Sequence, residues 1–335
     1  MERLLAVSSS PHIHAQQDTR SIMAWVLVAL APAGMAGIYF FGLRAAAVMA
    51  VCVASCKISE YIWQKLAKQV ITAGDLSAAV TGLLLAYNLP PSIPFWMAAA
   101  GSVFAIIIVK QFFGGIGCNI VNPALAGRAF MMSSWPVPMT SWTVDGISGA
   151  TPLAMIKHGL GNVKGAYDTV DALSSATWLG MVKEGAQGNL PGIYDVFIGH
   201  IGGCIGETSA AALLIGLAIL LYKGIIKWHI PVIYIGTVAA LSTIFGRSAG
   251  PLYEILAGGL FLGAIFMATD YTTSPMTTKG QIIFALGCGL LTSLIRTFGG
   301  FPEGVSYSIL IMNLTVPLID KCTKPRIFGE VKKHG

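Results

Sequence analysis

Ile22-Met23-Ala24-Trp25-Val26-Leu27-Val28-Ala29-Leu30-Ala31-Pro32-Ala33-Gly34-Met35-Ala36-Gly37-Ile38-Tyr39-Phe40-Phe41 runs for twenty residues without a charged side chain. As a helix it spans about 30 Å, the hydrocarbon thickness of a bilayer. A helix that is apolar all round has no polar face for water. Pro32, Gly34 and Gly37 are tolerated in such a segment when neighbouring helices satisfy the freed backbone groups.

The pattern recurs along the chain. Candidate spans fall at 22–41, 43–62, 71–89, 94–112, 119–133, 205–222, 230–246, 252–269, 281–297 and 304–320. The fifth is short and carries Pro123, so a broken or half helix is expected there. Composition agrees: 55% of the 335 residues are hydrophobic and 11% are charged, against about 25% charged in soluble domains. Mean hydropathy is +0.71. The first twenty residues are polar and lack the tripartite form of a cleaved signal, so the first span is expected to remain as an anchor.

The net charge of +6 reflects loop anchoring. No basic stripe interleaved with aromatics marks a nucleic-acid surface, so no nucleic acid is expected as a partner. With the termini inside, fourteen of the 21 Lys and Arg fall in inner segments and six in outer ones, with Arg128 inside a span. This bias sets the termini in the cytoplasm and the long 134–200 segment outside it. The six cysteines form no C-x-x-C pair, and small apolar packing residues are their plainer reading. His12 and His14 lie in the polar tail, and no metal site is expected.

Two halves echo each other. Gly82-Leu83-Leu84-Leu85 in span three resembles Gly259-Leu260-Phe261-Leu262 in span eight, and Phe113-Gly114-Gly115 after span four matches Phe298-Gly299-Gly300 after span nine. Five spans per copy is odd, so the second copy enters the membrane inverted, as in transporters whose sites lie near the midplane at broken helices. The expected fold is an all-α integral membrane protein with about ten transmembrane helices. They form two inverted five-helix repeats, urea-transporter-like, with one long extracytoplasmic loop. The expected boundaries are 1–21 for the cytoplasmic N-terminal segment, 22–133 for the first repeat, 134–200 for the loop, 201–320 for the second repeat and 321–335 for the cytoplasmic tail.

After Phe113-Gly114-Gly115 the chain reads Ile116-Gly117-Cys118-Asn119-Ile120-Val121-Asn122-Pro123. This predicts a re-entrant turn and a new helix with Pro123 in its first turn. Asn119 and Asn122 either cap that turn or line a polar site for a planar ligand or an ion; the residues leave both readings open.

The long loop holds Asp145-Gly146-Ile147-Ser148-Gly149-Ala150-Thr151-Pro152. Thr151 reads as an N-cap with Pro152 at the first helical position, and Gly159 as the stop of a short helix. That sets its hydroxyl at a helix N-terminus, a natural phosphate position. On these grounds alone a capped surface helix is the plainer reading.

The stretch is similar to the flavinylation signature D-G-x-S/T-G-A-T, and the match is complete. The chain also resembles the NqrB/RnfD family, and its RnfD branch in particular. Ser10-Pro11-His12-Ile13, Asn119-x-x-Asn122-Pro123-Ala124, Gly206-Glu207-Thr208, Met267-Ala268-Thr269-Asp270 and Phe301-Pro302-Glu303-Gly304-Val305 carry this resemblance, which covers nearly the whole chain. Only about twenty residues precede span one, which fits RnfD better than the longer NqrB.

The resemblance implies FMN joined to Thr151 as a phosphoester, with Asp145, Ser148, Gly149 and Ala150 as its recognition motif. It implies a flavin transferase during maturation, and RnfA, RnfB, RnfC, RnfE and RnfG as partners in the lipid bilayer. It also implies a second, non-covalent riboflavin, for which Asn119 and Asn122 are the candidate lining. The implied activity is electron transfer in ferredoxin:NAD oxidoreduction coupled to Na+ or H+ translocation at the cell membrane.

Ion transport needs charge or polarity within the bilayer, and the candidates taken for it are Lys110, Arg128, Glu207, Asp270, Arg296 and Glu303, since ionisable residues in a membrane are functional candidates. Asp270 and Glu207 rank first as ion-path residues because each lies beside Gly or Thr at an expected break. Three other readings compete. An NqrB-type component of a Na+-translocating NADH:quinone oxidoreductase is the nearest. A passive solute channel of the urea-transporter type needs no flavin signature, and a scaffold for soluble redox subunits predicts no bound flavin.

Overall fold

The computed structural model describes residues 18–72, 74–140, 193–199, 203–245, 251–256, 258–299 and 304–324, and these are helices and turns with no strand among them. Helix α1 (Thr19–Phe41) and helix α2 (Leu43–Leu66) are separated by Gly42 alone, whose φ of +73° turns the chain back. Then come α3 (Ser77–Tyr87) and α4 (Phe95–Phe104), which runs on as a π-helical segment, Ala105–Gln111. Next are α5 (Pro123–Ser134) and the single turn α6 (Pro136–Met139).

After the long connection come α7 (Ile193–Ile198), α8 (Ala210–Tyr222), α9 (His229–Ile244) and α10 (Pro251–Leu256). The short α11 (Leu260–Leu262) continues as a second π-helical segment, Gly263–Met267. Helices α12 (Thr278–Phe298) and α13 (Val305–Thr323) end the described chain.

By length and composition, α1, α2, α12 and α13 are each able to cross a membrane. Their outer surfaces are apolar: Tyr39, Leu43, Leu66, Leu314 and Leu318 are all exposed. The interior holds charge instead, with Glu60, Lys110, Glu254 and Arg296 each no more than 3% exposed. Apolar surface outside and paired charge inside is the distribution that a lipid solvent favours. Aromatic groups sit at both ends of the bundle, as at a membrane interface. Trp96 meets Trp135 edge-on at 5.2 Å at one end, and Lys223 Nζ lies 4.0 Å over Trp25 at the other.

Several helices are shorter than the hydropathy pattern predicts, for local reasons. Asp75 Oδ1 accepts from both the N–H and the Oγ of Ser77, and Leu76 has φ +66°, so α3 starts at Ser77 rather than near 71. It stops at Tyr87 because Pro90 and Pro91 follow, and prolines cannot donate to a helix. Asn88 Nδ2 folds back onto Leu84 O at 2.7 Å to finish it. At about 1.5 Å per residue, α3 covers roughly half of the hydrocarbon thickness.

The fifth span is the expected short helix: Asn122 caps it by accepting from the N–H of Ala124 and Leu125, and Pro123 is its first residue. Pro136–Met139 and Ile193–Ile198 are helical turns inside the segment that the sequence reads as loop.

Helix α2 packs on α3 and α4, α9 packs on α12 and α10, and α12 packs on α13. Contacts of α1 with α8, and of α5 with α13, join the two halves of the chain.

Candidate functional site

Three chain breaks meet halfway through the bundle. The first is the end of α3: Tyr87 Oη donates to Leu30 O, at the middle of α1, at 2.8 Å. The freed carbonyls there are bound by a crossing segment, since Gly206 N–H donates to Tyr87 O and Ile205 N–H to Leu89 O. The second is Met267, the end of the second π-helical segment. Asn122, at the start of α5, is the third, and its Nδ2 donates to Met267 O at 3.4 Å. Asn313, midway along α13, ties them together. With its amide oriented to suit its neighbours, it accepts from Asn122 N–H and donates to Thr273 O, both at 3.1 Å.

Beside these breaks lies a cavity of about 100 Å³, part of it open to the surroundings. Its walls come from the starts of α1, α3 and α5 and from the ends of the first π-helical segment, α8 and the second π-helical segment. Helices both begin and end around it, so the cavity reaches from the breaks toward one end of the bundle. The flanks of the long connection lie at the other end, where Gly199 packs on Phe40 and Ser209.

Its lining is mainly apolar, with Val26, Leu84, Leu220 and Phe266, and it includes the polar groups of Ser77, Thr81, Lys110, Asn119 and Asp270. The structure therefore brings together Asn119, Asn122, Lys110 and Asp270, which the sequence names separately.

Their local geometry separates their roles. Asn122 caps α5 through Oδ1 and holds Met267 O through Nδ2, so it builds the wall. Asn119 Nδ2 donates to Val121 O at 3.2 Å. Asp270 accepts from the Thr272 and Thr273 hydroxyls at 3.0 and 3.3 Å, which fixes its carboxylate in the turn after Met267. The turn before Asn119 relies on Gly114, Gly115 and Gly117, at φ +114°, +93° and +89°, conformations open to glycine but costly for other residues.

Lys110 reaches this wall from the π-helical segment, an irregularity often found at functional sites. Its Nζ donates to Glu60 Oε1 at 2.7 Å and to Ser77 Oγ at 2.6 Å. Gln111 Nε2 donates to the same Glu60 oxygen at 2.7 Å. Glu60 Oε2 and Gln111 Oε1 are buried and have no partner among the described residues. Glu60 escapes a reading of the sequence because it lies in the last turns of an apolar run, where a carboxylate is expected to face water. The signal that could have found it is its place inside span 43–62.

The remaining candidates lie elsewhere. Arg128 Nη1 donates to Asn88 Oδ1 and to Ser306 Oγ, at 2.9 and 3.1 Å, and so acts as a brace between α3, α5 and α13. Glu207 Oε1 accepts from Cys204 N–H at 3.0 Å in the segment that crosses Tyr87, away from Asp270. Arg296 Nη1 donates to Glu254 Oε2 at 3.1 Å. Thr151, Asp145, Ser148, Gly149, Ala150, Glu303, His12 and His14 lie outside the described residues. Among the described residues no cluster of metal-ligating side chains occurs.

These features define a multi-pass, all-helical membrane protein with broken helices around an internal cavity. The chain belongs to the NQR2, RnfD, RnfE family, whose model matches residues 6–329. It is 51% identical to a subunit of the Na(+)-translocating ferredoxin:NAD(+) oxidoreductase complex of Acetobacterium woodii, over 98% of this chain and 96% of that protein. A subunit of the proton-translocating ferredoxin:NAD(+) oxidoreductase complex of Clostridium ljungdahlii is 45% identical, over 98% and 97%. A subunit of the ion-translocating oxidoreductase complex of Citrobacter koseri is 38% identical, over 96% and 98%.

Proposed function

We propose that this chain is the membrane flavoprotein component of an Rnf-type complex, which carries electrons across the membrane during ferredoxin:NAD oxidoreduction coupled to Na+ or H+ translocation. The observation that carries this reading is the internal cavity at the meeting of three helix breaks, in a chain similar along its whole length to components of such complexes. RnfA, RnfB, RnfC, RnfE and RnfG are the proposed partners. The relatives from Acetobacterium woodii and Clostridium ljungdahlii are named for different ions, so the choice between Na+ and H+ stays with experiment.

Thr151 is proposed to hold FMN as a phosphoester, installed by a flavin transferase that reads Asp145 to Ala150; the complete D-G-x-S-G-A-T match supports this. With the termini cytoplasmic, the flanks of that loop face outward and the cavity opens toward the cytoplasm. A hydrocarbon core of about 30 Å is too thick for one electron hop, which favours a second redox group between the two ends.

The cavity fits a riboflavin-like ring in character. Apolar side chains such as Val26, Leu84 and Phe266 line it together with Asn119, Lys110 and Asp270, a mixed lining that suits a ring system with both hydrocarbon and polar edges. A flavin bound there supplies one- and two-electron chemistry. The chain's own part is to bind and orient it and to hold charge near its polar edge.

The inverted-repeat reading gains support from matching pairs of helices. Helix α2 packs on α3 and α4 as α9 packs on α10 and α12. Each half also buries a cation just before its Phe-Gly-Gly turn, Lys110 or Arg296.

A denaturing gel of chain co-expressed with its flavin transferase tests the covalent flavin. A fluorescent band at 35.2 kDa that disappears in Thr151→Ala supports it, and a dark band in the unsubstituted chain overturns it.

A further inference from the structure

We infer that Lys110 is the charged donor for the electron-accepting edge of the heteroaromatic ring held in the internal cavity, with Glu60 and Ser77 as the positioning residues that fix its ammonium there. This rests on the proposed second flavin site and assigns a residue within it.

The hydrogen-bond inventory of the wall carries the assignment. Each hydroxyl on the wall directs its one proton to a protein acceptor. Ser77 donates to Asp75 Oδ1, Thr81 to Ser77 O, Thr269 to Ile265 O, Thr272 to Asp270 Oδ2 and Tyr271 to Ile225 O. Asn119 and Asn122 each have one amide proton engaged.

Lys110 is the cationic group on this wall. An ammonium has three protons. Two go to Glu60 Oε1 and Ser77 Oγ, and the third has no acceptor among the described residues. Glu60 is fully buried and its carboxylate pairs with the ammonium at 2.7 Å, while Ser77 Oγ at 2.6 Å sets its direction.

The electrostatic consequence follows from the reaction. Reduction of the ring raises electron density at its polar edge. An ammonium at hydrogen-bond distance, on a side chain that is itself buried, stabilises the reduced form more than the oxidised one. Lys110 therefore raises the reduction potential of the bound ring.

The test uses the assembled complex, purified with unsubstituted or variant chain. Non-covalent flavin released by acid is counted per chain, and its midpoint potential is read by spectroelectrochemistry. The variant Glu60→Gln with Lys110→Gln leaves no lone buried charge. It should keep the flavin and favour reduction about ten-fold less, a shift of about 59 mV for a one-electron couple. Lys110→Arg should recover part of the shift, and Ser77→Ala should move the potential the same way by less. An unchanged potential in these variants overturns the role of Lys110.

Ala124→Phe places a ring in the cavity from its wall and leaves Lys110 itself unsubstituted. Loss of the non-covalent flavin there supports the site itself. Retention at an unchanged potential means that the ring lies elsewhere, which sinks the underlying reading rather than the assignment alone.

Discussion

Arg128 and Asn88, forty residues apart, join by a 2.9 Å hydrogen bond that ties the middle of α5 to the residue that ends α3. Asn88 also accepts, through its carbonyl, from Cys204 Sγ at 3.2 Å. Removing the acceptor in Asn88→Ala takes one partner from a buried guanidinium, a loss of about 1.5–3 kcal/mol for a hydrogen bond to a charged group. With Cys118 and Cys322 replaced by Ser, the four other cysteines, all buried, report unfolding through a thiol-reactive dye. The melting midpoint should fall in Asn88→Ala, and an unchanged midpoint would show that the brace contributes nothing.

The Glu60–Lys110 pair should be strongly coupled. Lys110→Met alone leaves a carboxylate buried without its cation, and breaking such a pair costs about 3–5 kcal/mol. Adding Glu60→Gln should restore most of the loss. Additive effects of the two substitutions in the same thermal assay would contradict the coupling.

Two glycines should respond oppositely to alanine. A Cβ at Gly206 runs into the Tyr87 ring, whereas one at Gly236 meets nothing within 4 Å. Gly206→Ala should cost about 1–3 kcal/mol, as overpacking does. Gly236→Ala should be neutral, or stabilise by up to about 1 kcal/mol through helix propensity. Equal melting midpoints for the two variants would mean that the crossing segment yields freely at Tyr87.

Accessible thiols should report the sidedness. Cys118 lies in the turn before α5 and Cys322 near the end of α13, and both are exposed. The cavity-side turn after Met267 is tied to the end of α13, where Met276 N–H donates to Asp320 Oδ1. An impermeant maleimide should therefore label Cys118 and Cys322 from the same face of membrane vesicles. Ser174→Cys, in a chain with both replaced by Ser, should react from the opposite face. Labelling of Cys118 and Cys322 from different faces would break the arrangement of helices around the cavity.

Apolar run length, the Asn122-Pro123 cap and the Gly-rich turn before it are local features, so lipid burial, the start of α5 and the break at that turn were all legible in the order of residues. So was family membership, because its motifs are contiguous. The meeting of Asn119, Lys110 and Asp270 around one cavity was not, since their positions are separated by up to 160 residues and only helix packing sets their distance. The same holds for Glu60, whose partner comes from another helix. Hydropathy ranks it as a charge near a span end, and the low-dielectric interior around α2, α3 and the π-helical segment turns it into the counter-ion of Lys110. Lipid as solvent decides which residues become helix and face outward, while tertiary packing decides which polar groups left inside can reach one another.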